Sequence, residues 1–167
     1  MARLKAALRG LKAGRFGILL AALLVVAGLG GYAWYDKSRM SQEQAAARDC
    51  LAVAPAAAAA LFSYDYRTFD ASVANGKTFA TGGFADEYAQ TTSALKSAAE
   101  KEQAVVTAQA NVAGVVSAGT DQVEVLVYLN QYRRNVNITG EKVDQNRVVL
   151  TMKRVDGQWK VSGAAAI

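Results

Sequence analysis

The chain has 167 residues, of which 19 are basic, 14 acidic, one is cysteine and none is histidine. Without histidine, Ser–His–Asp and Cys–His nucleophile systems and His-based metal sites are excluded, and a lone cysteine rules out an internal disulfide. The formal charge of +5 invites a nucleic-acid reading, but five of the 19 basic residues and none of the 14 acidic ones precede residue 36, which leaves 14 of each beyond it. The basicity belongs to the N-terminal tail, and no nucleic-acid footprint remains.

In chain order, residues 1–15 read as a basic cytoplasmic tail, with Leu4, Leu8 and Leu11 at helical spacing among Lys5, Arg9 and Lys12. Phe16–Tyr35 is a run of twenty residues without a charge. At roughly 1.5 Å per residue such a helix spans the ~30 Å core of a bilayer. It outlasts the apolar core of ~7–15 residues typical of a cleaved signal, and Trp34 and Tyr35 continue it past Gly30 and Gly31, so it reads as a retained anchor. Cys50 lies well beyond this run after Ala47-Arg48-Asp49, which is no lipidation context. Positive charge on the near side and the mixed signs of Asp36, Lys37 and Arg39 on the far side predict a single-pass protein of the cytoplasmic membrane. Residues 36–40 are then a juxtamembrane linker and residues 41–167 an extracytoplasmic domain.

Ser41 with Gln44 fits a capping box that would start the first helix of that domain. Ala47, Leu51, Ala54, Ala58 and Leu61 fall on one face of it, and Pro55 predicts a kink or a restart. Cys50 reads as a small side chain on this helix. In residues 63–76, Thr68 or Asp70 is placed to cap a short helix that Asn75-Gly76 would close. Asp65, Arg67 and Asp70 lie close enough for ion pairing. Thr81-Gly82-Gly83-Phe84 opens a third helix with Asp86 and Glu87 in its first turn and a thin apolar face of Phe84, Tyr88 and Leu95, with Thr91 and Thr92 between them.

After Gln103 the period changes from helical to two. Val106, Ala108, Ala110 and Val112 alternate with polar residues. Val123, Val125, Val127 and Leu129 share one face of the next strand, and Leu126, Tyr128 and Tyr132 the other, which predicts a central strand. A polar loop is expected from Asn135 to Asn146. Two β-rich runs joined by Asp156-Gly157 then read as a tight hairpin with Trp159 and Val161 on one face. Three helices followed by four antiparallel strands predict an α+β domain with the helices on a curved sheet.

With these residues in view, the chain resembles the Mce-associated membrane proteins of the mammalian cell entry lipid-import systems. The resemblance rests on Tyr64-Asp65-Tyr66-Arg67-Thr68-Phe69-Asp70, on Thr81-Gly82-Gly83-Phe84 with Tyr88, on Val125-Leu126-Val127-Tyr128 leading to Gln131, and on Arg154 to Val161. It implies a cystatin-like domain of the nuclear-transport-factor type outside the membrane, acting as a non-enzymatic accessory subunit of an Mce-type lipid importer. The bilayer and Mce-type transporter subunits are the implied partners, with self-association a further option. The same fold serves the inner-membrane scaffold of type IV secretion and conjugation machines, and also polyketide cyclases and ketosteroid isomerases, so fold alone leaves function open. Tyr64, Asp65, Tyr66, Thr68, Phe69, Asp70, Thr81, Gly82, Phe84 and Tyr88 form the candidate structural or partner-facing motif. No catalytic, cofactor-binding or metal-binding residue is expected. A catalytic alternative would use Asp65 or Asp70 as base with Tyr128 or Tyr132 as donor, and a sheet concavity could hold a lipid without chemistry.

Overall fold

The structure, a computed structural model, describes residue 32 and residues 34–167. The basic tail and most of the expected membrane segment lie outside the described residues, among which no helix is long and apolar enough to cross a membrane. The chain divides into two units between Gln42 and Glu43. In the first, residues 34–42 are helical, so the expected linker at 36–40 is helix. Ser41 lies inside that helix, where its hydroxyl donates to Ser38 O at 2.7 Å instead of capping a new start. The capping box is therefore not formed.

In the second unit, residues 43–61 (α1) are helical without a break at Pro55. The ring removes one backbone hydrogen bond, and burial of the helix face against the sheet outweighs that loss. Its buried stripe is Ala46, Cys50, Ala54, Ala57, Ala58 and Leu61, with the expected Ala47 and Leu51 only half-buried. The offset has a simple cause. Alanines occur all round this helix, so hydropathy contrast says little about which side faces inward.

Tyr64–Asp65 (β1) is a two-residue strand that the sequence reading did not anticipate. It makes the sheet five-stranded, in the order β1-β2-β3-β4-β5, where four strands were expected. Tyr66–Thr68 is a single 3-10 turn capped by the Asp65 carboxylate, which accepts from Arg67 N at 2.9 Å. Phe69–Phe79 (α2) follows, with Thr68 at its start but giving no side-chain cap. Asn75-Gly76 does not end α2. Gly76 is buried within it, because a Cβ there would lie 2.2 Å from the Tyr88 hydroxyl. Glycine serves close approach here and not chain reversal. Gly82–Glu102 (α3) begins at Gly82, whose φ of +59° favours glycine, and ends with Gln103 in the left-handed region. Its first turn holds no acidic residue, so Asp86 and Glu87 lie beyond the position expected for them.

Val105–Ala118 (β2), Gln122–Arg134 (β3), Lys142–Val155 (β4) and Gln158–Ala166 (β5) form an antiparallel meander with β3 in the middle. Val123, Val125, Val127 and Leu129 are buried on its inner face, as expected. Two differences matter. The register of β2 against β3 shifts between Ala110 and Val112, so Val112 opposes Tyr128 on the outer face while Ala113 takes the inner position opposite Val127. One extra residue reverses the alternation, the usual consequence of a bulge. Second, β4 begins at Lys142, inside the expected loop. Cross-strand ion pairs, Arg133–Asp144 at 2.5 Å and Arg134–Glu141 at 3.1 Å, line the polar extension of this strand pair. The β4–β5 turn is as expected, with positive φ at both Asp156 and Gly157 (50° and 76°), and Trp159 and Val161 buried on one face.

Candidate functional site

Helices α1, α2 and α3 all pack on the inner face of the sheet, but they do so differently. The alanines and Cys50 of α1 lie directly on Val123, Val125, Leu150, Met152 and Val161 and leave a continuous core. Under α3, Phe84 and Tyr88 also pack against this core, but beside them and Leu95 a cavity of about 380 Å³ remains. Its walls come from the end of α1 (Leu61), the following segment (Phe62, Ser63, Tyr64), α2 (Phe69, Val73), α3 (Phe84, Glu87, Tyr88, Thr91, Thr92, Leu95) and the sheet (Gln131, Val148, Ala164, Ala166).

Four of the ten motif residues meet here: Tyr64, Phe69, Phe84 and Tyr88. Tyr64 and Phe69 stack edge to face at 5.6 Å, and Phe84 lies 6.4 Å from Tyr88. Burial pushes both phenols up; at Tyr64 the nearby Arg133 opposes that rise and Glu102 adds to it. The polar lining groups are mostly committed to the protein. Ser63 Oγ accepts from Ala108 N at 2.9 Å, Thr92 Oγ1 donates to Tyr88 O at 2.7 Å, and Gln131 Oε1 accepts from Asn146 Nδ2 at 2.6 Å.

The other six motif residues are spent on structure. The Arg67 guanidinium holds the Asp65 carboxyl below the usual carboxylate range by hydrogen bonding, and it also lies 5.9 Å from the Tyr66 ring centroid. Asp70 pairs with Lys96 across α2 and α3 at 2.7 Å, which raises the lysine. Thr68 and Gly82 begin helices, and Thr81 N donates to Val161 O at 2.9 Å. The aspartate–tyrosine pairing of the catalytic alternative is not assembled. Asp65 and Asp70 are in surface ion pairs, while Tyr128 and Tyr132 lie on the outer side of β3 by strand alternation. Among the described residues no cluster of carboxylates or thiols could hold a metal.

The outer face of the sheet carries no helix among the described residues of this unit. Val112 (62% exposed), Tyr128 (43%) and Val143 (47%) are prominent on it, and the Arg147 guanidinium lies 5.6 Å from the Tyr128 ring centroid. Val112 and Arg147 flank Tyr128 in adjacent strands. Sequence reading placed Tyr128 here but assigned Val112 to the opposite face, because only the register shift reveals its side.

Helices on one face of a five-stranded antiparallel meander, with an apolar cavity beside α3, define an α+β domain. Solved structures share this fold. An IcmL-like type IV secretion system protein from Legionella pneumophila superposes with a TM-score of 0.59 at 18% identity, covering 70% of this chain and 88% of that one. The periplasmic domain of DotI gives 0.60 at 16%, covering 70% and 91%. VirB8 of Agrobacterium tumefaciens gives 0.56 at 12%, covering 75% and 92%. At these identities the likeness is one of fold. The chain belongs to the family described as "Uncharacterized protein Rv1363c/MT1408-like", which it matches over residues 16–166. No curated protein matches it. Neither the family description nor these three structures names an Mce component.

Proposed function

We propose that this protein is a membrane-anchored, non-enzymatic scaffold of a multi-subunit assembly in the bacterial cell envelope. In this reading residues 16–35 hold it in the cytoplasmic membrane and the α+β unit works outside. The observation that carries the proposal is the bare outer sheet face, on which Val112 and Tyr128 are exposed opposite each other and Val143 is exposed farther along, opposite Tyr132. An apolar and aromatic strip flanked by polar residues is what a partner-facing surface presents. The fold shared with type IV secretion proteins supports a scaffold of that kind. The commitment of Asp65 and Asp70 to ion pairs supports a role without acid–base chemistry.

A second reading, accessory subunit of an Mce-type lipid importer, rests on the sequence motifs around Tyr64–Asp70 and Thr81–Tyr88. One experiment addresses both. The full chain is purified in mild detergent from native membranes, beside a Val112→Asp/Tyr128→Asp variant that leaves the inner core untouched. Secretion components recovered with the parent and lost with the variant support the first reading; tandem importer subunits behaving so support the second. Recovery of the parent always alone, with secretion and lipid import unchanged on deletion, would overturn both.

A further inference from the structure

We propose that the cavity beneath α3 binds the single hydrocarbon chain of a lipid whose head group carries no negative charge. At about 380 Å³ the cavity sits near the lower end of the ~300–1,000 Å³ range of ligand sites. That suits one chain and not two. Its walls are apolar, with Leu61, Phe69, Val73, Phe84, Leu95 and Val148 facing in from four elements. The hydroxyl of Thr92 and the acceptors of Ser63 and Gln131 are already engaged within the protein, so they offer little to a polar guest. A space lined in this way favours hydrocarbon over water.

The cavity is also built and not left over. Tyr88 lines it with its ring tip packed against α2 at Gly76. That is feasible because residue 76 is glycine; any Cβ there would meet the Tyr88 hydroxyl at 2.2 Å. Glu87 supplies the discrimination. It is the one charged residue of the lining and is exposed, at the solvent side. A carboxylate or phosphate head would face a like charge, whereas an alcohol or ester head would not. This inference does not depend on the scaffold role, though its test takes the membrane placement of residues 16–35 from that reading.

The test is photolabelling of the full chain in native membranes with a long-chain fatty alcohol bearing a mid-chain diazirine. Labelled peptides are mapped by mass spectrometry, and labelling of residues 16–35 serves as the internal reference. The expected result is labelling within α3 and β5. Thr91→Phe, at an exposed lining position, lowers it roughly tenfold, the equivalent of excluding about two methylenes, and leaves the reference unchanged. Ala164→Phe fills the cavity from the sheet side and gives the same loss. The matching fatty acid probe labels α3 less than the alcohol does, and Glu87→Gln removes that difference. Labelling confined to 16–35, or labelling of α3 unaffected by either phenylalanine, would overturn the proposal. Equal labelling by acid and alcohol in the parent would overturn the head-group assignment.

Discussion

Two regions of one sheet face are roofed by helices of similar length with opposite results. Under α1 the contact residues are Ala46, Cys50, Ala54, Ala57 and Ala58, all essentially inaccessible, and the β3–β5 side chains beneath them are fully buried. Under α3 they are Phe84, Tyr88 and Leu95 with two threonines between, and a cavity remains. Small side chains let backbone come close to backbone, and the sheet's own valines and leucines fill the gap. Large side chains spaced by threonines reach the core at some points and cannot interlock everywhere, so space is left between them. A helix rich in alanine thus makes the tighter seam, although each residue buries less.

The comparison is broken most directly by deleting the same volume on either side. Leu150→Ala opens a hole in the closed seam, and its expected cost is about 2–5 kcal/mol. Leu95→Ala enlarges a space that already exists and removes a half-buried side chain; about 1–2 kcal/mol is expected, the lower cost reflecting contacts it never made. Urea denaturation of both variants measures the contrast. Equal costs would mean that α3 is packed as tightly as α1.

The complementary experiment adds volume. Ala54→Leu forces three extra carbons into the α1 seam and is expected to destabilise by about 1–3 kcal/mol. Ala164→Leu projects into the cavity and is expected to be neutral or to stabilise by up to ~1 kcal/mol. Thermal melts of the two variants should shift in opposite directions, or at least by clearly different amounts.

How far this contrast was legible in the sequence depends on the element. The thin face of Phe84, Tyr88 and Leu95 was readable from spacing, and so were the inward valines of β3 and the Asp156-Gly157 turn. Each is a local pattern with a strong signal. The orientation of α1 was not, because alanine on every side removes the contrast that defines a stripe. Gly76 was misread as a helix stop. Its partner, Tyr88, is twelve residues on and belongs to another helix, so only tertiary packing reveals why glycine is there. The outward turn of Val112 depends on one bulge, and the extra length of β4 on charged cross-strand pairs that hydropathy does not register. Of the candidate motif, the aromatics could be assigned to a site by chemistry, while the aspartates were read as ion-pairing residues: Asp65 pairs with Arg67, but the partner of Asp70, Lys96, lies in another helix and was not foreseen.

A smaller effect separates the two regions by pH. Cys50 sits in the α1 seam with no accessible surface, and burial pushes its thiol up to about 11. In the unfolded chain it ionises near pH ~8.5. Its contribution to stability is therefore complete below that value and lost progressively as pH rises from ~8.5 towards 11. Cys50→Ala should flatten the stability profile in that window. At neutral pH the thiol should resist iodoacetamide until the domain unfolds; rapid alkylation of the native protein would show that the seam opens.

The smallest expected effect lies at the edge of the α3 roof. Asp65 caps the turn that leads into α2, and the hydrogen bond from Arg67 lowers its pKa in the folded state. A lowered carboxyl stabilises above its unfolded pKa of ~3.9, and that contribution is lost as pH falls through the lower folded value. Because the partner guanidinium is largely exposed, solvent screens the pair, and the whole contribution is expected to be under about 1 kcal/mol. Asp65→Asn should therefore reduce stability slightly at pH 7 and hardly at all near pH 2, with the difference shrinking below pH ~4. A loss of several kcal/mol at neutral pH would mean that the turn, and with it the placement of Phe69 against Tyr64, depends on this carboxylate far more than an exposed pair allows. The roof would then be poised on its edge and not on the stacked aromatics inside it.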